Sequence, residues 1–376
     1  MNLKELYQSQ GQSIWQDDIH RSQLKSAAFE KAVREGGLRG VTTNPSIFEK
    51  AIDGSDDYKQ AITELCAQPG ATAESIYEQL AIEDIRMAAD IMSSLYKESE
   101  RGDGYISMEV PPALSHDTKG TVAEGLRLWE KVGRENLMIK VPGTPEGMPA
   151  IHQLIAKGVN VNVTLLFSRI ACRQAVEAYF GGLEDFAAQG GDLRRIASVA
   201  SLFVSRMDVK VDGLLHALIE AAPLPKQAAL QVLLGKVAIA NAKLAYQDWQ
   251  ELHQTPRWKA LSVKGARPQR LLWASTSVKD KAYDTLMYAE SLMGPATVDT
   301  LPPGTLKELL KRGHAAPRLM EGLDDARKVL DSLKLLDISI DSVCQALLEE
   351  GLAGFEKSFN ALMAAIERQR VGLASR

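Results

Sequence analysis

NLMIKVPGTPEG (136–147) and VNVNVTLLFS (159–168) are two short apolar runs, each with polar residues set towards its carboxyl end. Lys140 stands alone between Ile139 and Val141, and Asn162 and Thr164 alternate with valines. Short runs of apolar and β-branched residues, separated by stretches of helical spacing, are the pattern of a parallel sheet buried on both faces. Working outward, the same alternation gives eight candidate strands, at 13–17, 38–44, 105–110, 137–141, 159–165, 196–202, 270–275 and 296–301. Segments 73–97, 118–132, 169–188 and 279–292 carry apolar residues at three- and four-residue spacing, as amphipathic helices do. Eight strands with crossover helices predict an α/β fold, a closed TIM-type (β/α)8 barrel with extra helices and a C-terminal helical extension.

The longest interval between strands, 205–269, holds two or three helical patterns, among them 229–249, and predicts a helical insertion at about 207–262. Beyond the last strand, 304–313, 317–335 and 340–369 read as helices, a C-terminal extension covering about 304–376. No Gly/Ser/Pro-rich linker and no fixed-period repeat interrupts the chain, so residues 1–376 are expected to form one domain.

The 376 residues are 45% hydrophobic and 24% charged, values of an ordinary globular protein. A formal charge of −4 without a basic block argues against a general nucleic-acid binder. Cys66, Cys172 and Cys344 lie far apart, and the six histidines (20, 116, 152, 216, 253 and 314) show no metal-ligand spacing. Reduced core thiols and no metal are expected. G-x-G-x-x-G and G-x-x-x-x-G-K-[ST] are both missing, so no nucleotide cofactor is indicated. The first residues carry no apolar signal-peptide core and no run of ~18 uncharged apolar residues occurs, which predicts a cytoplasmic protein without a membrane span.

The strand ends carry the chemistry. Asp17, Thr43, Asn44, Glu109, Lys140, Asn162, Thr164, Ser201, Ser275 and Thr300 fall where apolar packing would not choose them. In a parallel barrel these ends converge on one face. An ammonium buried without a partner is costly enough to favour the neutral amine, and a neutral lysine is a nucleophile suited to forming a Schiff base with a carbonyl. The plainer alternative is a strand-end lysine that reaches solvent or pairs with Glu109. Glu109 and Asp17 can move the protons of aldol chemistry, and Thr164 can hold a water. Ser201 and Arg206 in SLFVSRMD, with Ser275, Ser277 and Lys279 in WASTSVKD, suit a phosphate monoester. Each of them taken singly is equally readable as a helix cap or a surface ion pair.

GVTTNPSIF (40–48), SMEVPP (107–112), NLMIKVPGTPEGMPAI (136–151), NVNVTLLFS (160–168), SVASLFVSRMD (198–208) and QRLLWASTS (269–277) together resemble the transaldolases of the pentose phosphate pathway. The resemblance runs from about residue 13 to 303, and the length with WQDD near the start is similar to the longer bacterial subgroup. It implies a metal- and cofactor-free transfer of a dihydroxyacetone unit from sedoheptulose 7-phosphate to glyceraldehyde 3-phosphate, giving erythrose 4-phosphate and fructose 6-phosphate. By motif, Lys140 is then the Schiff-base lysine, Glu109 an acid/base acting through water, Thr164 the residue positioning that water, and Asp17 the group handling the hydroxyl proton. Asn44 and Asn162 would hold the dihydroxyacetone hydroxyls, and Ser201 and Arg206 the phosphate, with Ser275 nearby. Two points depart from the pattern. Asp17 is followed by Asp18, and strand alternation aims only one into the barrel, Asp17 being preferred. Some members carry arginine where this chain has Ser277, so Lys279 is taken as the second phosphate cation. The implied partners are small sugar phosphates, with no nucleic acid and no membrane, and the protein is expected to be a monomer or homodimer. A simple aldolase releasing free dihydroxyacetone, and a sugar-phosphate sensor without turnover, remain as alternatives.

Overall fold

A computed structural model describes residues 1–53 and 55–374. Eight parallel strands close into a barrel in chain order: β1 (Gln12–Gln16), β2 (Gly40–Val41), β3 (Tyr105–Glu109), β4 (Leu137–Pro142), β5 (Val161–Leu166), β6 (Ser198–Phe203), β7 (Arg270–Ala274) and β8 (Thr297–Leu301). Each overlaps one of the eight expected strands, and β8 pairs with β1 from Gln12↔Thr297 to Gln16↔Leu301 to complete the ring. Every strand residue but Arg270 and Glu109 is buried, as a sheet covered on both faces requires.

Alternation along the strands sorts their side chains into an inner and an outer set. At the amino-terminal end of the barrel, Asp103 accepts from Ser13 Oγ (2.8 Å), Arg39 Nε (2.6 Å) and Arg270 Nη2 (2.9 Å), tying residues beside β1, β2, β3 and β7 to one buried carboxylate. The Trp15 indole fills the layer above. A Cβ on Gly40 would lie 2.4 Å from that ring, so only glycine lets β2 pass it. The uppermost layer is polar, and it forms the site.

The crossover helices begin and end on recognisable signals. Ala73–Glu98 opens on a Thr72–Ser75 capping box, and Thr118–Val132 is capped by Asp117 and closed by left-handed Gly133. Two expected helices are shorter in the structure. Within 279–292 only Met287–Ser291 is helical, because the carboxylates of Asp280 and Asp284 take the backbone N–H groups of Ala282 (2.8 Å) and Leu286 (2.7 Å) and hold the preceding chain in turns. The 229–249 pattern is split, since left-handed Gly235 gives its N–H to Asp212 (3.0 Å) and the chain restarts as Val237–Leu252. The long interval thus holds four helices, Ser205–Ala221, Leu224–Gln231, Val237–Leu252 and Pro256–Val263.

The C-terminal helix, Ile340–Ala374, packs on Pro45–Asp53, on the turn Pro112–Leu114, on β5 and on Ser205–Ala221. These segments belong to the carboxyl ends of β2, β3, β5 and β6. The helix therefore runs across the mouth of the barrel on that side. Among the described residues no helix is long and apolar enough to cross a membrane.

Candidate active site

Strand register brings Glu109, Lys140 and Asn162 into one row, because Glu109 pairs with Lys140 and Lys140 with Asn162 across β3, β4 and β5. Neighbours in register share a face, so all three point into the barrel. Lys140 is 4% exposed. Its ammonium is not alone: Nζ donates to the Thr43 carbonyl oxygen (3.0 Å), lies 3.6 Å from Glu109 Oε2 and sits 5.6 Å from the centre of the Phe355 ring. The lysine is thus neither the unpartnered ammonium that its apolar neighbours suggested nor a solvent-seeking one.

Burial pushes the Glu109 carboxyl up to about 7, against the pull of Lys140 and with a smaller push from Asp17. A group that titrates near neutrality can both give and take a proton in one cycle. Glu109 Oε2, for all its ion pair with Lys140, and Thr164 Oγ1 are buried and accept or donate no hydrogen bond within the protein. An unmet buried polar atom costs ~1–3 kcal/mol, so such atoms point to hydrogen bonds with a non-protein group. Thr164 follows Asn162 by two residues on β5, on the same face.

Asn162 is held on both sides. Its Nδ2 donates to Ser107 Oγ (3.0 Å) and its Oδ1 accepts from Ser201 Oγ (2.7 Å). Ser201 is therefore joined to the asparagine in the barrel. Asn44 caps Pro45–Asp53, its Oδ1 accepting from the Ile47 N–H (3.1 Å) and leaving its amide nitrogen for other partners. Thr43 Oγ1 donates to the Ser107 carbonyl (2.8 Å), bracing the segment whose carbonyl receives Lys140.

Of the two adjacent aspartates, Asp17 faces the lysine. Burial raises its carboxyl, Lys140 pulls it back, and Thr42 Oγ1 donates to its Oδ1 (2.7 Å). Thr42 Oγ1 also lies 2.6 Å from Thr300 Oγ1, which fixes the hydroxyl between β2 and β8. Asp18 turns to His20, 3.2 Å away.

A second group gathers at the carboxyl ends of β6 and β7. Arg206 opens Ser205–Ala221 with its guanidinium 5.2 Å from the Phe203 ring, and has no carboxylate within 4 Å among the described residues. Burial lowers it. Lys279 is lowered by burial and then by the nearby Arg206 and Lys50, and its Nζ donates to Ser277 Oγ (2.6 Å). Ser275, in left-handed backbone at φ 54°, brings its Oγ within 3.0 Å of Ser205 Oγ. Three cations near hydroxyls at a helix start concentrate the positive charge and donors that a dianionic group requires. Sequence reading missed Thr42, Lys50, Ser205 and Phe355. Thr42 and Ser205 each adjoin a residue that was chosen, whereas Lys50 and Phe355 lie on helices whose docking no local pattern reveals.

Residues 14–366 match the family model described as Transaldolase/Fructose-6-phosphate aldolase. The chain is 46% identical over 362 residues to a protein of Trichodesmium erythraeum named Transaldolase, covering 96% of this chain and 95% of that one. It is 45% identical over 361 residues to Transaldolase 2 of Nostoc sp., covering 95% and 94%. A Transaldolase of Thiobacillus denitrificans is 44% identical over 366 residues, covering 97% of this chain and all of the relative. With its closed eight-stranded barrel and a lysine seated among strand-end carboxylates and amides, this chain belongs to the transaldolase/fructose-6-phosphate aldolase family.

Proposed function

We propose that the protein is a transaldolase of the non-oxidative pentose phosphate pathway. It would transfer a dihydroxyacetone unit from sedoheptulose 7-phosphate to glyceraldehyde 3-phosphate, giving erythrose 4-phosphate and fructose 6-phosphate. The observation that carries this reading is the in-register row of Glu109, Lys140 and Asn162, with Asp17 facing the lysine.

Lys140, as the free amine, attacks the donor ketone to form a carbinolamine. Glu109 in its acid form gives the proton with which water departs, through a water held by Glu109 Oε2 and Thr164 Oγ1, two buried atoms beside the lysine whose hydrogen-bonding capacity the protein does not fill. The iminium then withdraws electrons as Asp17 takes the proton of the C4 hydroxyl and the C3–C4 bond breaks. The aldehyde product leaves, and an enamine stays on Lys140. Attack of the enamine on the acceptor aldehyde, with Asp17 returning the proton, reverses the sequence. Asn162 and the free amide nitrogen of Asn44 serve the dihydroxyacetone hydroxyls, with Ser201 holding Asn162 in place. Arg206, Ser275 and Lys279 hold the phosphate at the far end of the sugar.

In this reading residues 1–376 act as one cytoplasmic domain, monomeric or homodimeric, that needs no cofactor, metal, nucleic acid or membrane. The test is turnover of fructose 6-phosphate with and without erythrose 4-phosphate. Transfer that requires the acceptor supports the proposal. Free dihydroxyacetone accumulating at the transfer rate would make the protein an aldolase instead, the other activity in the family's description.

A further inference from the structure

The C-terminal helix brings one side chain to the reacting lysine. Gly351, Phe355, Phe359 and Leu362 follow one another at helical spacing of three or four, so they share a face. That face is seated closely at both ends. A Cβ on Gly351 would lie 2.9 Å from Leu165 Cδ2 and 3.5 Å from Arg206 Nη1, so the absence of a side chain there lets the helix rest on the end of β5. One turn beyond Phe355, Ser358 Oγ meets Ser46 Oγ at 2.7 Å, and Phe359 packs edge-on against Tyr77 with ring centres 5.7 Å apart. Between these anchors Phe355 is 7% exposed and turns its ring towards Lys140 Nζ at 5.6 Å. A core contact alone would accept any large aliphatic residue. An aromatic ring over the lysine also tolerates the positive charge of the iminium while presenting no group that can carry a proton or hold water.

We propose that Phe355 is the wall of the lysine site that decides between transfer and release. This rests on the transaldolase reading and deepens it. With the first aldehyde gone, the enamine on Lys140 has two fates. It attacks an acceptor aldehyde, forming a new carbon–carbon bond. Alternatively a proton adds at C3 to regenerate the iminium, water adds at C2, and the C2–N bond breaks, so that one water is consumed and dihydroxyacetone and the Lys140 amine are freed. Both routes share the water on Glu109 and Thr164, but only the second needs a proton delivered to C3, and Phe355 fills the space beside the lysine nitrogen with a ring that carries no proton donor and keeps further water out.

The experiment compares wild type, Phe355→Ala, Phe355→Leu and Phe359→Leu with fructose 6-phosphate, measuring free dihydroxyacetone against transfer to erythrose 4-phosphate. Borohydride trapping on Lys140 is read in the same samples. Phe355→Ala is expected to raise the released-to-transferred ratio by on the order of tenfold, with trapping retained, and Phe355→Leu to raise it less. Phe359→Leu loosens an anchor without opening the wall and should leave the ratio unchanged. Should both Phe355 variants lose transfer and release in parallel, at an unchanged ratio, the side chain is packing only and the proposal fails. If Phe355→Ala does not fold, the ratio in Phe355→Leu decides alone. No borohydride adduct in the wild type would instead sink the transaldolase reading itself.

Discussion

Two carboxyls in this barrel are pushed up to about 7, and only one faces the lysine. The other, Asp299 on β8, is fully buried, and its neighbour Thr300 reaches into the barrel to Thr42. Alternation therefore aims Asp299 outward, where it accepts one bond from Thr276 Oγ1 (3.0 Å) and its Oδ2 has no protein partner. Burial raises it and no cation opposes the effect. Its ordinary value is 3.8, so folding must hold a neutral carboxyl across a window from about pH 4 to about pH 7. In that window the folded chain binds more protons than the unfolded one, and stability falls as pH rises, by about 1.4 kcal/mol per unit, levelling off above about pH 7. The full loss is roughly 4 kcal/mol. Asp299→Asn keeps an acceptor for Thr276 and removes the titration. Whatever constant offset the amide introduces, its stability relative to wild type should grow by roughly 2–3 kcal/mol between pH 5 and pH 8. Urea denaturation of both proteins across that range measures this directly, with transfer activity unaffected. A difference that stays flat with pH would show that Asp299 is not held neutral by burial, and the same reasoning for Glu109 would lose its footing.

For Glu109 the effect is functional. Activity in kcat/KM should decline above about pH 7 as the acid form is lost, and Glu109→Gln should cost ~10²–10⁴-fold in kcat and remove that limb of the profile. Arg206→Ala should raise KM for phosphorylated donors by ~10–100-fold while changing kcat little, since a clamp far from the broken bond supplies binding, and initial rates with phosphorylated and unphosphorylated donors check this. Gly40→Ala drives a methyl into the buried Trp15 ring and should destabilise by ~1–3 kcal/mol in a denaturant titration, with the stability loss appearing although no polar group is touched.

The barrel was legible because strands buried on both faces leave short apolar runs, and because the polar residues that interrupt them fall at carboxyl ends. The row of Glu109, Lys140 and Asn162 could be read for the same reason, each being the wrong residue for a core strand. What escaped was set by contacts distant in sequence or by local competition. Asp280 and Asp284 carry good helical spacing around them, yet their carboxylates capture backbone N–H groups and stop the helix. Gly235 splits a periodic segment because Asp212, on another helix, fixes its backbone. The bond from Ser201 to Asn162 is set by strand alternation and neighbouring-strand register, which the run SLFVSRMD does not display. Phe355 reads as one more apolar residue of an amphipathic helix, and nothing in its periodicity says that this helix crosses the barrel mouth 215 residues beyond the lysine.

The central claim is that Lys140 carries the substrate as an imine, and its most direct test is intact mass measurement after incubation with fructose 6-phosphate and borohydride, followed by peptide mapping. A reduced three-carbon adduct on Lys140, missing from Lys140→Met together with transfer activity, is the predicted result. An active protein that yields no adduct, or one trapped at another lysine, would contradict the mechanism and leave Lys140 as a buried structural partner of Glu109.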